Sequence, residues 1–120
     1  MKKLIKHARL LNPAAREDRT ADVLIDGKTI AAIEASLSCP EAEIIEADGL
    51  WLMPGLIDLH AHLREPGFEG RETIATGTKA AAAGGITSLV CMGDTNPPVD
   101  NKTGVEFILE RAAQTGWVRV

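Results

Sequence analysis

The chain has 120 residues, 45% of them hydrophobic and 25% charged, with a formal net charge of -4. This length is enough for one small domain, whereas a closed eight-stranded α/β barrel needs about twice as many residues. The 13 basic residues are scattered along the chain, which argues against a nucleic-acid-binding surface. No stretch approaches the ~20 apolar residues of a membrane span, and no signal peptide is recognisable. We therefore expect a cytoplasmic protein that binds neither nucleic acid nor membrane.

The first part of the chain reads as short strands separated by turns. Apolar and β-branched residues alternate with polar ones, and Asp26-Gly27 is a dipeptide typical of a tight hairpin turn. Asn12-Pro13 and Asp48-Gly49 interrupt the pattern in the same way. The segments that predict strands are 2–11, 21–25, 29–33 and 43–47. We expect residues 1–52 to form a small antiparallel β-sheet domain.

After Gly49 the pattern changes to that of alternating strands and helices. Residues 50–57 are almost continuously apolar, which predicts a strand buried on both faces, and Pro54-Gly55 sets its beginning at Leu56. Residues 71–83 favour a helix that stops at Gly84-Gly85, and residues 86–92 predict a second buried strand.

The remaining residues predict a second helix and the beginning of a third strand. Thr103 and Glu106 have the spacing of a capping box, so we expect Thr103 to be the N-cap. Residues 117–120 predict the start of another strand. The order strand, helix, strand, helix, strand is typical of a parallel α/β sheet or barrel. Residues 53–120 are therefore expected to be the first strands and helices of a TIM-type (β/α)8 barrel, with the chain ending inside that barrel.

Three polar residues stand at the end of the first predicted barrel strand. His60 and His62 are two positions apart, so both imidazoles project from the same face of a strand and are able to share one metal ion. Active sites of α/β barrels assemble at this C-terminal end of the strands. Asp58 precedes the pair and is a candidate to orient one imidazole from behind the metal; the alternative for Asp58 is a turn cap.

The segment Pro54-Gly55-Leu56-Ile57-Asp58-Leu59-His60-Ala61-His62 resembles the opening signature of the amidohydrolase superfamily. The following Leu63-Arg64-Glu65-Pro66-Gly67 is similar to the class I dihydroorotases. The resemblance implies that residues 1–52 are a composite sandwich domain, and that His60 and His62 bind zinc in a centre of one or two ions. It also implies that Arg64 binds the substrate carboxylate; the alternative for Arg64 is a surface ion pair with Glu65 or Glu69. It also implies reversible interconversion of N-carbamoyl-L-aspartate and dihydroorotate in pyrimidine biosynthesis.

The resemblance places the general base and the other metal ligands on later strands, outside residues 1–120. We therefore expect no catalytic base within this chain, and no activity from the 120 residues alone. Zinc would supply the nucleophile, because it lowers the pKa of a bound water to about 7.

The sequence departs from the family at Asp94. The family usually has Asn there, at the end of the second strand, and the Asn helps to bind the substrate carboxylate. An ionised Asp94 would repel that carboxylate by about 4 kcal/mol at 4 Å with an effective dielectric constant near 20. Four further arrangements stay open. Asp94 pairs with Arg64, is held protonated, or is a turn-forming residue that points elsewhere; in the fourth, Asn96 takes the role of the missing Asn.

Two alternative functions follow from these residues. The first is another cyclic amidase of the allantoinase or dihydropyrimidinase type, which Arg64 disfavours and Asp94 leaves open. The second is a non-catalytic dihydroorotase-like subunit that scaffolds aspartate transcarbamoylase, which the presence of both His60 and His62 disfavours. A homo-oligomer or an association with the transcarbamoylase is compatible with either enzyme or scaffold.

Overall fold

The structure, a computed structural model, describes all residues from Met1 to Val120. They fall into two compact units, Met1–Pro54 and Gly55–Val120. None of the helices has the length and apolar character needed to cross a membrane.

The first unit is a five-stranded sheet with the order β3-β2-β1-β4, in which β5 also pairs with β1. A single 3-10 turn, Pro13–Ala15, joins β1 to β2. The predicted hairpin at Asp26-Gly27 is confirmed, and Gly27 adopts the left-handed conformation, φ +60°, that a tight turn requires. The strands are β1 (Lys2–Asn12), β2 (Glu17–Asp26), β3 (Thr29–Glu34), β4 (Glu43–Glu46) and β5 (Trp51–Leu52).

The expectation of a purely antiparallel sheet is wrong, because the sheet is mixed. β1, β2 and β3 pair antiparallel, whereas β4 and β5 both run parallel to β1. Tight hairpins enforce antiparallel pairing, but residues 35–42 form a longer connection that returns the chain to the free edge of β1 in the same direction as β1. The core of this unit consists of Ala8, Leu10, Ala21, Val23 and Ala47.

The second unit has the predicted order of strands and helices. Its elements are β6 (Leu56–Ala61), α1 (Ile74–Ala83), β7 (Ile86–Cys91) and α2 (Lys102–Thr115). β6 and β7 pair in parallel, as expected of adjacent strands joined by a helix. The third predicted strand is represented by one parallel bridge, between Ser88 and Arg119. The core of the unit consists of Leu63, Ile74, Leu89 and Ile108.

Both helices begin at other residues than the sequence predicted. α1 begins at Ile74 rather than at Arg71, because Thr73 forms a capping box with Thr76. α2 is capped by Asn101 rather than by Thr103, since Asn101 Oδ1 accepts the N–H of Gly104 at 3.0 Å. Thr103 therefore lies inside the helix.

The prediction that β6 is buried on both faces is wrong for these 120 residues. Leu56, Ile57 and Leu59 are 50%, 65% and 71% exposed. The sheet of this unit has only two strands, so β6 pairs with β7 along one edge and has no strand along the other. Burial of a parallel strand on both faces requires layers that a two-stranded sheet does not provide.

Candidate active site

The predicted site residues lie at the C-terminal ends of β6 and β7, in the two loops that follow these strands. His60 is in β6 and His62 comes directly after it. The N–H of Met92 donates to the carbonyl of Ala61 at 2.8 Å, which ties the start of the second loop to the end of β6. The parallel pairing of the two strands thus brings residues about thirty positions apart to the same edge of the sheet.

His60 and His62 project side by side, as their spacing predicted. Their ring centres are 5.1 Å apart and the ring planes are inclined at 59°. Both side chains are exposed. Two imidazoles bound to one tetrahedral ion, with Zn–N distances of about 2.0–2.1 Å, have ring centres about 5 Å apart. The pair therefore fits two positions of a zinc site, although the chain has no cluster of three or more potential ligands.

The carboxylate of Asp94 joins the two loops. Both of its oxygens lie 3.0 Å from Nδ1 of His62, and Oδ2 accepts a hydrogen bond from Nη1 of Arg64 at 2.6 Å. The hydrogen bond with His62, together with the neighbouring Arg64, holds the pKa of Asp94 below its ordinary value. Of the arrangements left open for Asp94, the structure has the pair with Arg64, and His62 is a second partner of the same carboxylate.

Asp58 does not contact an imidazole. Its Oδ1 accepts the backbone N–H of His60 at 2.9 Å, and no hydrogen bond joins it to the ring of His60 or His62. The side-chain oxygen of Asp58 turns back to the backbone of the residue two positions on, which is a common local hydrogen bond of Asp and Asn. Within the site, the carboxylate that contacts a histidine ring is that of Asp94, from the loop after β7.

Glu65, which the sequence offered only as a surface partner of Arg64, is buried and supports the Arg64 loop instead. Only 4% of the residue is exposed. Its Oε2 accepts the N–H of Ile74 at the start of α1, and its Oε1 accepts Nε of Arg111 in α2. The side chain of Arg64 therefore contacts Asp94 in the site, whereas that of the next residue, Glu65, contacts the two helices. Glu65 and Arg111 are 46 residues apart in the sequence, so no local pattern predicts their contact.

Asn96 does not replace Asp94 at Arg64. Its backbone N–H donates to the carbonyl of Pro66 at 3.0 Å, which joins the two site loops a second time. The intervening Thr95 is buried, and its hydroxyl donates to the carbonyl of Pro97 at 2.7 Å. These contacts fix the loop that carries Asp94.

The chain is similar to solved structures of a hydantoinase and a dihydropyrimidinase. An L-hydantoinase (dihydropyrimidinase) from Arthrobacter aurescens superposes on 95% of the chain with a TM-score of 0.83 and 31% identity. A dihydropyrimidinase from Brevibacillus agri superposes on 98% of it with a TM-score of 0.80 and 36% identity. The chain covers 26% of each of these structures. The fold and the paired histidines define the class as that of the amidohydrolase barrels.

Sequence comparison then gives the family. The family model described as "Dihydro-orotase-like" matches residues 49–120. A dihydroorotase of Syntrophotalea carbinolica is 48% identical over all 120 residues, and one of Thermoanaerobacter sp. is 44% identical over the same length. The chain spans 28% of each of these two relatives. It belongs to the dihydroorotase-like family.

Proposed function

We propose that this chain is part of a zinc-dependent dihydroorotase, which interconverts N-carbamoyl-L-aspartate and dihydroorotate in pyrimidine biosynthesis. The observation that carries the proposal is the match of the whole chain to relatives named dihydroorotase at 44–48% identity. The side-by-side imidazoles of His60 and His62, 5.1 Å apart between ring centres, support it independently.

The site residues divide into metal-binding and substrate-binding groups under this proposal. His60 and His62 would hold zinc, which activates a water as nucleophile near neutral pH when it is bound. Arg64 would bind the substrate carboxylate with the donors that Asp94 leaves free, since only Nη1 is engaged within the chain. The other ligands and the general base would come from residues outside these 120, so the chain alone is expected to be inactive.

The test measures zinc content and dihydroorotate hydrolysis of the full-length protein. Stoichiometric zinc and turnover are expected, and both should be lost in His60→Asn and His62→Asn. His7→Asn is the matched control, because His7 is the chain's third histidine and lies in the first unit, beside Glu46. Retention of zinc and full turnover in His60→Asn would contradict the assignment of the ligands.

A chimera shows what these 120 residues contribute. They would replace the matching segment of the Syntrophotalea carbinolica dihydroorotase, with the parent enzyme as the control. We expect a chimera that binds zinc and turns over dihydroorotate. A chimera that folds and binds zinc, but does not act on dihydroorotate, would point to a different substrate for this segment.

A second candidate function is hydrolysis of a cyclic amide that carries no carboxylate. The observation that favours it is the ion pair between Arg64 and Asp94, which places a negative charge beside the guanidinium that would bind a substrate carboxylate. Two of the similar solved structures are a hydantoinase and a dihydropyrimidinase by name. Comparing kcat/KM for dihydroorotate and for dihydrouracil in the same preparation separates the two functions.

A further inference from the structure

All side-chain hydrogen bonds that His62 and Arg64 make within the chain go to the carboxylate of Asp94. His62 reaches both oxygens from one ring nitrogen, Nδ1, and Arg64 reaches Oδ2 from one guanidinium nitrogen, Nη1. The carboxylate therefore fixes two side chains that have different tasks in the proposed enzyme. His60 has no such partner, since its only contact with a carboxylate is through its backbone.

The contact with Asp94 determines which nitrogen of His62 is free. An ionised carboxylate only accepts hydrogen bonds, so in the neutral ring of His62 the proton is on Nδ1 and the lone pair is on Nε2. A ring nitrogen binds a metal through that lone pair, and a carboxylate on the other nitrogen fixes the ring and makes the ligand more basic. Nε2 is thus the atom of His62 that is prepared for a metal ion.

Arg64 is held by one nitrogen only. A guanidinium has five N–H donors in a rigid, planar fork, and only Nη1 donates to Asp94. The remaining donors make no side-chain hydrogen bond within the chain, so a planar anion has a free edge of the fork to bind. Asp94 therefore orients Arg64 without occupying it fully.

Asp94 is itself held in place by its loop. The N–H of Val99 donates to the carbonyl of Gly93 at 3.0 Å, and Thr95 next to Asp94 is buried. A carboxylate on a fixed loop orients its partners, whereas one on a mobile side chain follows them.

We infer that Asp94 is a positioning residue of the metal site: it holds His62 as the Nδ1–H tautomer, with Nε2 free for zinc, and turns one edge of Arg64 toward the substrate. This inference rests on the proposed function only in naming zinc and the substrate. The geometry that carries it is a single carboxylate shared by His62 and Arg64.

The first test reads the tautomer of His62 directly. In the metal-free, full-length protein with ¹⁵N-labelled histidine, at about pH 8, the ring of His62 should show the Nδ1–H form. Asp94→Ala should shift it toward the Nε2–H form that an unpartnered imidazole prefers, and His62→Asn assigns the signal. An Nε2–H ring in the unmodified protein would overturn the inference.

The second test measures zinc affinity by competition with a chromogenic chelator. Loss of the partner of a metal-binding histidine typically weakens binding by about 10–100-fold, which is the effect expected for Asp94→Ala. Asp94→Asn should lose less, because its amide oxygen accepts from one of the two partners. Asp100→Asn is the control, because it removes a carboxylate charge from the same loop between β7 and α2. The side chain of Asp100 forms a hydrogen bond only with Asn101, outside the site. Equal zinc affinity in Asp94→Ala and Asp100→Asn would overturn the inference.

The two tests separate this inference from the proposed function. An Nδ1–H tautomer and Asp94-dependent zinc binding without turnover of dihydroorotate would support the positioning role and contradict the dihydroorotase. Turnover of dihydroorotate, with the tautomer and the zinc affinity unchanged in Asp94→Ala, would support the dihydroorotase and contradict the positioning role. If Asp94→Ala does not fold, the tautomer and the zinc affinity are measured in Asp94→Asn, which keeps the size of the side chain.

Discussion

Arg111 in α2 donates from Nε to Oε1 of Glu65, in the loop after β6, across 2.7 Å. The other oxygen of Glu65 accepts the N–H of Ile74, the first residue of α1, at 2.9 Å. The Glu65 side chain is 6% exposed and that of Arg111 is 42% exposed. One buried carboxylate therefore connects the loop and both helices, at the position directly after Arg64.

Removing that carboxylate should destabilise the second unit. Glu65→Ala leaves the N–H of Ile74 buried without an acceptor, and an unpaired buried donor costs about 1–3 kcal/mol. The expected loss is measured by urea denaturation of the full-length protein. Glu106→Ala is the control, since Glu106 forms an exposed pair with Lys102 and should change the stability by less than about 0.5 kcal/mol. Equal losses in the two variants would contradict a bracing role for Glu65.

The close approach of the two site loops depends on Gly67. Its φ is +94°, and a Cβ at this position would overlap the backbone carbonyl of Asn96. Gly67→Ala should therefore displace the Arg64 loop from the Asp94 loop, lower the Tm and raise the KM of the full-length enzyme. Backbone strain of this kind costs about 1–3 kcal/mol. Gly70→Ala is the matched control, because nothing lies within 4 Å of a Cβ there, and it should leave both measurements unchanged.

Local patterns predicted the elements well, because each rests on the chain's own periodicity. The hairpin at Asp26-Gly27 and the parallel pair β6 and β7 are of this kind. The direction of β4 depends instead on how a loop of several residues returns to β1, which no periodicity records. The exposure of Leu59 depends on which elements pack around β6, and the sequence of the strand itself does not determine those elements.

For the site, sequence spacing predicted neighbours within a strand but not contacts between strands. His60 and His62 lie side by side as expected, because residues two apart share a face. The partner of the His62 ring is 32 positions away, in a loop whose register against β6 is set by tertiary pairing. Sequence reasoning therefore favoured the nearer Asp58, and it left the pairing of Asp94 with Arg64 as one of several possibilities.

Asn101 and Thr103 both have side chains suited to cap α2, but only Asn101 is the cap. Asn101→Ala removes the acceptor for the N–H of Gly104 and should destabilise the protein by about 0.5–2 kcal/mol. Thr103→Ala is the matched control, because Thr103 lies inside the helix and is exposed there. Because alanine is a better helix former than threonine, Thr103→Ala should leave the Tm unchanged or raise it slightly. A larger loss in Thr103→Ala than in Asn101→Ala would restore Thr103 as the cap.

Asp22 gives the first unit a stability that depends on pH. Its side chain is buried, and its two oxygens accept the N–H groups of His7 and Leu37, each at 2.9 Å. These backbone hydrogen bonds, with Lys6 nearby, hold the pKa of Asp22 below its ordinary value. A depressed carboxyl pKa stabilises the folded state above the unfolded pKa of about 3.9, and this contribution is lost as the pH falls through the lower, folded pKa.

The stability of the first unit should therefore decline below about pH 4, and Asp22→Asn should make it less dependent on pH in that range. The asparagine amide accepts from only one of the two N–H groups, so the variant should also lose about 1–3 kcal/mol at neutral pH. Urea denaturation of the full-length protein between pH 2 and 7, followed by circular dichroism, measures both effects. Asp26→Asn is the control, because Asp26 is exposed at the hairpin and its side chain accepts no hydrogen bond. If Asp22→Asn kept the acid-induced loss of stability in full, the carboxylate of Asp22 would not be its source.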